Sequence, residues 1–198
     1  MPQMLGSLPP AINASMADPP TSIATDRLLL RPFQQTDVEA YAAIRAKPDV
    51  VRYLPGGGDT VKGAREIAEK AVAGFSGLWS EQNGPGYGPW AVVHRSSGEL
   101  IGHLGLRLLP DLGGETEILY MLDNAVWGRG LASEGARAGR DYGFDHLGLD
   151  RIIAMALPEN AASLRVMEKI GMSREPGLVE AFGLKVVQYT MRAGDPRL

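Results

Sequence analysis

The chain has 198 residues, 44% of them hydrophobic and 22% charged, which suits one domain with its own core. A net charge of -3 gives no general attraction to nucleic acid or an anionic membrane, and no apolar stretch approaches the roughly 20 residues that span a bilayer. The absence of cysteine excludes disulfides, thiolate metal sites and a cysteine nucleophile, and it fits a reducing, cytoplasmic compartment.

Residues 1–25 hold no Lys or Arg, and Pro9, Pro10, Pro19 and Pro20 break any apolar run, so no secretory signal is read there. They are expected to form a flexible leader with alternative starts at Met1, Met4 and Met16. A single domain is then expected over 26–198, opening on the apolar run 26–33. Thr36 is expected to cap a helix carrying Val38, Tyr41, Ala42 and Arg45 at helical spacing, with Asp37 and Glu39 in its first turn and Pro48 as its stop. A loop over 53–60 leads to a second amphipathic helix ending near Gln82, and residues 83–89 (NGPGYGP) break it.

The period then changes to that of strands. Runs 90–95 and 100–109 flank the turn Ser96-Ser97-Gly98-Glu99, and a second turn over 110–114 leads to EILYMLD, 117–123. Three strands with such short connections form an antiparallel meander. Leu119 and Met121 point to one face of the third strand and Ile118, Tyr120 and Leu122 to the other, as in a central strand covered on both sides.

The most specific segment follows, AVWGRGLASEG over 125–135. Gly128 and Gly130 stand where strand turns into helix, so backbone N–H groups are exposed at the positive end of the helix dipole, an arrangement suited to phosphate. The helix over 131–146 has an unusually small face of Ala132, Gly135, Ala136, Gly139 and Gly143. Glycine costs about 1 kcal/mol per helical position relative to alanine, so a close approach to the sheet is expected in compensation. A strand over 151–157, parallel to 117–123 because a helix joins them, leads to a short helix after Asn160 that stops at Gly171. The tail reads as a final hairpin through 182–192.

These motifs resemble the GNAT superfamily of acetyl-CoA-dependent N-acetyltransferases, and within it the ribosomal-protein-alanine acetyltransferase branch. The resemblance runs from about Thr25 to Arg192 and is sharpest in TDRLLLRP, EILYMLDNAVWGRGLASEG and NAASLRVMEKIGM. It implies a mixed α/β fold: a mainly antiparallel sheet of about seven strands with flanking helices, and one parallel pair splayed around the cofactor. The family's pyrophosphate motif falls on Trp127, Gly128, Arg129, Gly130, Leu131 and Ala132, with Trp127 in place of the usual Gln or Arg. Ser133 follows in the same helix start, and Tyr120, Met121 and Leu122 are implied along the pantetheine arm. The second signature falls on Asn160, Ser163, Met167, Gly171 and Met172. Asn160 is implied to contact the pantetheine and to cap its helix. Met167 replaces the tyrosine that protonates the departing thiolate in many relatives, and methionine cannot donate that proton. Ser163 is the substitute the branch implies.

With no cysteine, direct transfer of the acetyl group to a free amine is the natural route. The developing oxyanion needs a preorganised donor, implied to be a backbone N–H near Leu122. The amine must lose a proton, for which Glu117 is the chosen base and His103 the runner-up. Acetyl-CoA and an amine acceptor (a protein N-terminus or a small molecule) are the expected partners. No metal is expected, and a homodimer is left open. A catalytically silent acyl-CoA-binding or regulatory module is the alternative. A dinucleotide-binding oxidoreductase fits less well, because Ser133 stands where the third glycine belongs and the preceding strands form a meander.

Overall fold

The computed structural model describes residues 22–55, 62–77 and 87–198. Most of the expected leader, the tip of the 53–60 loop and residues 78–82 of the expected second helix lie outside these.

The chain folds as a mixed α/β structure around a mainly antiparallel sheet. In chain order the elements are β1 (Ile23–Ala24), β2 (Leu28–Arg31), α1 (Val38–Arg45), α2 (Pro48–Val51), α3 (Ala64–Gly77), β3 (Gly88–His94), β4 (Leu100–Leu109) and β5 (Glu115–Leu122). Then come α4 (Leu131–Asp145), β6 (Arg151–Ala156), α5 (Ala161–Lys169), β7 (Ser173–Arg174), β8 (Val179–Ala181) and β9 (Leu184–Arg192). The sheet order is β1-β2-β3-β4-β5-β6-β9-β7, with β8 paired to β9. The expected meander is β3-β4-β5, the one parallel contact among the described residues is β5 with β6, and the tail hairpin is β8-β9.

Several boundaries differ from expectation. The sheet has nine strands among the described residues rather than about seven, because the two-residue β1 and β7 add to its ends. β1 pairs with β2 from Ile23, three residues before the expected start of order. Thr36 does not cap α1: a 3-10 turn over Gln35–Asp37 precedes the helix, and the Asp37 carboxylate accepts from the Gln34 N–H at 2.7 Å while pairing with Arg31. Pro48 does more than stop α1. It opens α2, where its missing N–H costs nothing.

Two apolar layers sandwich the sheet. On one side α4 and α5 pack with Leu28, Leu30, Trp90, Leu104, Leu106, Ile118 and Ile152. On the other, Phe33, Tyr41, Ile44 and Val72 pack with Ala91 and Met121, which brings α1 and α3 onto the sheet. These are called here the α4 face and the α1 face. The small side of α4 is explained by contact: a Cβ at Gly139 would lie 3.0 Å from Leu104 Cδ2, and one at Gly143 would lie 2.9 Å from Ile152 Cδ1. Among the described residues, no helix is long and apolar enough to cross a membrane.

Candidate functional site

The parallel pair β5 and β6 touches at a single register position, Glu117 opposite Ile153. Beyond it the strands part. Which backbone groups look into the gap follows from strand parity. The Asp123 N–H donates to the Ile101 carbonyl on the β4 side at 2.8 Å, and successive strand residues alternate sides. Residues 117, 119 and 121 therefore turn their N–H and C=O toward β4, and 118, 120 and 122 turn theirs toward β6. Once β6 has diverged, the N–H groups of Tyr120 and Leu122 face the gap. The Leu122 carbonyl is taken by the Trp127 indole N–H at 2.8 Å, so the residue that replaces the usual Gln or Arg finishes the end of β5.

The glycine turn stands at the mouth of this gap. Gly128 and Gly130 adopt left-handed backbone with φ of 75° and 78°, and residues 128–130 are exposed. The first hydrogen bond of α4 runs from the Glu134 N–H to the Gly130 carbonyl at 3.0 Å. Among the described residues, no acceptor meets the N–H groups of 128–133. A brace unforeseen in the sequence holds the turn from behind. Glu134 accepts from the Thr25 hydroxyl (2.6 Å), the Arg27 N–H (2.8 Å) and the Arg27 Nε (2.6 Å), while Arg27 Nη1 donates to the Arg129 carbonyl at 2.9 Å. Burial opposes ionisation of Glu134, but these bonds together with the Arg27 charge hold its carboxyl below the usual range. Leu131 and Ser133 are buried in the first turn of α4 and Ala132 is half-buried.

On the α4 face, the Tyr120 hydroxyl reaches from β5 to the start of α5. It lies 3.0 Å from Ser163 Oγ and donates to the Ser163 carbonyl at 3.1 Å. Burial raises the phenol pKa, and the Glu117 charge adds to the effect. Asn160 is the N-cap of α5, its Oδ1 accepting from the Ser163 N–H at 3.2 Å. Met167 is 1% exposed and belongs to the core.

Glu117 lies on the α1 face. It is not a solvated strand end, since only 5% of it is exposed. Arg107, its register partner on β4, donates from Nη2 and from Nε (3.1 Å) to one Glu117 oxygen. Phe182, half-exposed in the β8-β9 turn with a left-handed φ of 53°, lies against the Arg107 guanidinium with its ring centroid 5.0 Å away. Burial raises the Glu117 pKa, while Arg107 pulls the other way without cancelling it. His103 faces Met121 on the same side, with Nδ1 2.7 Å from the Tyr41 hydroxyl. Burial, reinforced by Arg45 and Arg107, lowers the His103 pKa to about 3, so it stands as a neutral and very weak base. Burial also pushes the Tyr41 phenol up to about 12.

The structure thus brings Glu117, Tyr120, Leu122, Trp127, the glycine turn, Asn160 and Ser163 around one gap between β5 and β6. Met121 lies among the apolar side chains of the α1 face. Arg107 was missed in the sequence although a signal existed: the turn at 110–114 sets the register that places it opposite Glu117. The Tyr120–Ser163 contact had no such signal, because the splay creates it. Among the described residues, no group of three or more His, Asp and Glu is placed to hold a metal ion.

A family model for the acetyltransferase (GNAT) domain matches residues 27–173. The chain is 35% identical over 154 residues to a Bacillus subtilis protein named as the uncharacterized N-acetyltransferase YnaD, covering 77% of this chain and 83% of that one. A GNAT-family acetyltransferase structure from Bacillus anthracis superposes with a TM-score of 0.70 at 30% identity, covering 88% of this chain and 99% of that one. Mycobacterium smegmatis RimJ, solved in complex with CoA-disulfide, shares the fold with a TM-score of 0.69 at 21% identity, over 84% of this chain and 82% of that one.

Proposed function

The chain belongs to the GNAT acetyltransferase family, and from that membership we propose that it moves an acetyl group from acetyl-CoA directly to a primary amine. The observation that carries this is the single β5-β6 bridge at Glu117, which opens a gap lined by unspent backbone N–H groups beside the glycine turn. The residues fit such a donor. The N–H groups of 128–133 suit the pyrophosphate, and a Cβ-sized space at Gly128 is open, with no atom within 4 Å. The amide side chain of Asn160 has donors to spare for the pantetheine arm after its cap is made.

The donor supplies an activated acetyl thioester. The N–H groups of Leu122 and Tyr120 sit where they can hold the acyl oxygen as charge builds on it, a contribution commonly worth about 3–4 kcal/mol per donor. Glu117 takes the proton from the amine, and burial has raised its pKa toward the range in which a base works near neutrality. The departing sulfur meets the paired hydroxyls of Tyr120 and Ser163, so the phenol restores a proton donor that Met167 cannot provide. His103, buried and neutral, supports Tyr41 instead of acting as the base.

Thiol release from acetyl-CoA, measured against a panel of amino acids, small amines and peptides with free N-termini, tests this reading. CoA affinity is measured alongside by calorimetry. We expect acceptor-dependent thiol release from the wild type. Tyr120→Phe should lower kcat by roughly ten- to a hundredfold with Ser163 still in place, and Kd for CoA should stay within about threefold. CoA binding without turnover on any amine would establish the silent acyl-CoA-binding module instead.

A further inference from the structure

We propose that the acceptor is an amine that also carries a carboxylate, of the α-amino-acid class, held by Arg45 and Arg107 on the α1 face; this rests on the acetyl-transfer reading of the same site. That face carries the guanidinium groups of Arg45 and Arg107. β4 presents His103 and Arg107 there, and α1 presents Tyr41 and Arg45. His103 is neutral, and among the described residues Glu117 pairs with Arg107 while no carboxylate pairs with Arg45. Arg107 stands four residues along β4 from His103 on the same face, and Arg45 lies over the ring of Tyr41, whose hydroxyl is 2.7 Å from His103 Nδ1.

Both arginines also have donors left over. Arg45 Nε is buried with no hydrogen-bond partner, its guanidinium carbon 5.8 Å from the Tyr41 ring centroid. A buried cationic donor without an acceptor is costly to the fold, so a ligand oxygen at this place repays it. Arg107 spends Nε and Nη2 on a single Glu117 oxygen and its flat face on Phe182. Among the described residues, nothing accepts from its Nη1. A planar guanidinium pairs with a carboxylate edge-on, so Arg107 can stand between Glu117 and a second carboxylate.

The spacing within an α-amino acid fits this arrangement. Its amine lies one carbon from its carboxylate, so a carboxylate on Arg107 brings the amine to Glu117. A peptide N-terminus offers a neutral carbonyl at that place and leaves the extra positive charge unmatched. In the transfer the amine nitrogen bonds to the acetyl carbon and the carbon–sulfur bond breaks. The amine proton passes to Glu117 and the thiolate takes a proton at the Tyr120–Ser163 pair.

Matched sets decide the matter: an α-amino acid, its carboxamide, its decarboxylated amine and a peptide beginning with it. Each is measured for kcat/KM with acetyl-CoA and, separately, for equilibrium binding to the protein with CoA present. The acid should be preferred over its carboxamide by about 10–100-fold in both measurements, the range expected of a charge-assisted hydrogen bond. Arg45→Met should shrink that preference to within about threefold while CoA affinity is unchanged, and Arg45→Lys should restore part of it. Carboxamides or peptides handled as well as the acid by the wild type overturn the proposal, as does a preference that survives Arg45→Met. Preferential binding of the acid with no transfer to any amine sinks the acetyl-transfer reading and leaves the anion site standing. Transfer to neutral amines with no preference for the acid does the reverse.

Discussion

The chemistry of the site turns on how one carboxyl group is held. Glu117 is buried, which favours its neutral form, and it bonds Arg107, which favours its ionised form; burial wins and the pKa is raised. The aromatic ring of Phe182 covers the guanidinium, and its left-handed backbone is an unusual conformation for a bulky side chain, tolerated where the turn and the Arg107 contact fix it. The sign of the pH dependence follows. In the proposed role Glu117 must be unprotonated to accept the amine proton, so kcat should rise with pH through its folded-state pKa, which burial raises above the ordinary glutamate value. Arg107→Met removes the group that favours the charged form, so the limb moves to higher pH. Glu117→Gln lowers kcat by about 10²–10⁴-fold, with CoA affinity kept. A pH profile of kcat at saturating substrates on the three proteins checks this. A limb that stays in place in Arg107→Met, or moves to lower pH, would remove Glu117 from the role of base.

At the scale of elements, α4 governs both the sheet and the donor turn. Its Gly135, Gly139 and Gly143 side lies so close to Leu104, Leu106 and Ile152 that a Cβ there would meet their terminal methyl groups at 2.9–3.0 Å, and a larger side chain would push them aside. Gly143→Val is expected to destabilise the fold by roughly 1–3 kcal/mol, as overpacking does, read as a lower urea midpoint at unchanged slope. An unchanged midpoint would mean that the helix is free to lift off the sheet. This small face was legible in the sequence, because glycine at helical spacing has few other uses. The meander was legible for the same kind of reason, its turns being short and rich in Gly and Pro. β1 and β7 were not, since two-residue strands carry no period of their own and exist only through their partners. Thr36 misled because the chain begins to turn earlier: Gln35–Asp37 form a 3-10 turn that Asp37 closes onto the Gln34 N–H, which leaves Thr36 inside the turn and not at its cap position. The glycine turn was legible as a strand-to-helix junction because it is one contiguous segment. The Arg107–Phe182 contact was not legible, since the two residues come together from β4 and the β8-β9 turn.

For the whole molecule, the splay makes the sheet two sheets that share an edge. One part runs β1-β2-β3-β4-β5 and the other β6-β9-β7, joined by the Glu117–Ile153 bridge and by α4, which contacts both. An opening in a sheet leaves a row of edge groups without partners, and such groups are costly unless solvent or a ligand meets them. Here they coincide with the proposed donor site, so the donor should act as the missing strand contact between the two parts. Parity makes this measurable residue by residue. In the free protein the amides of Leu119 and Met121, turned toward β4, should exchange slowly with deuterium, and those of Tyr120 and Leu122, turned toward the gap, should exchange fast. Saturating CoA should slow Tyr120 and Leu122 by about tenfold or more and leave Leu119 and Met121 little changed, because a bound ligand adds protection only where it closes an opening. Amide-resolved hydrogen exchange by NMR can follow all four. Uniform protection along β5 in the free protein would show a closed sheet, and the donor would then have to enter elsewhere.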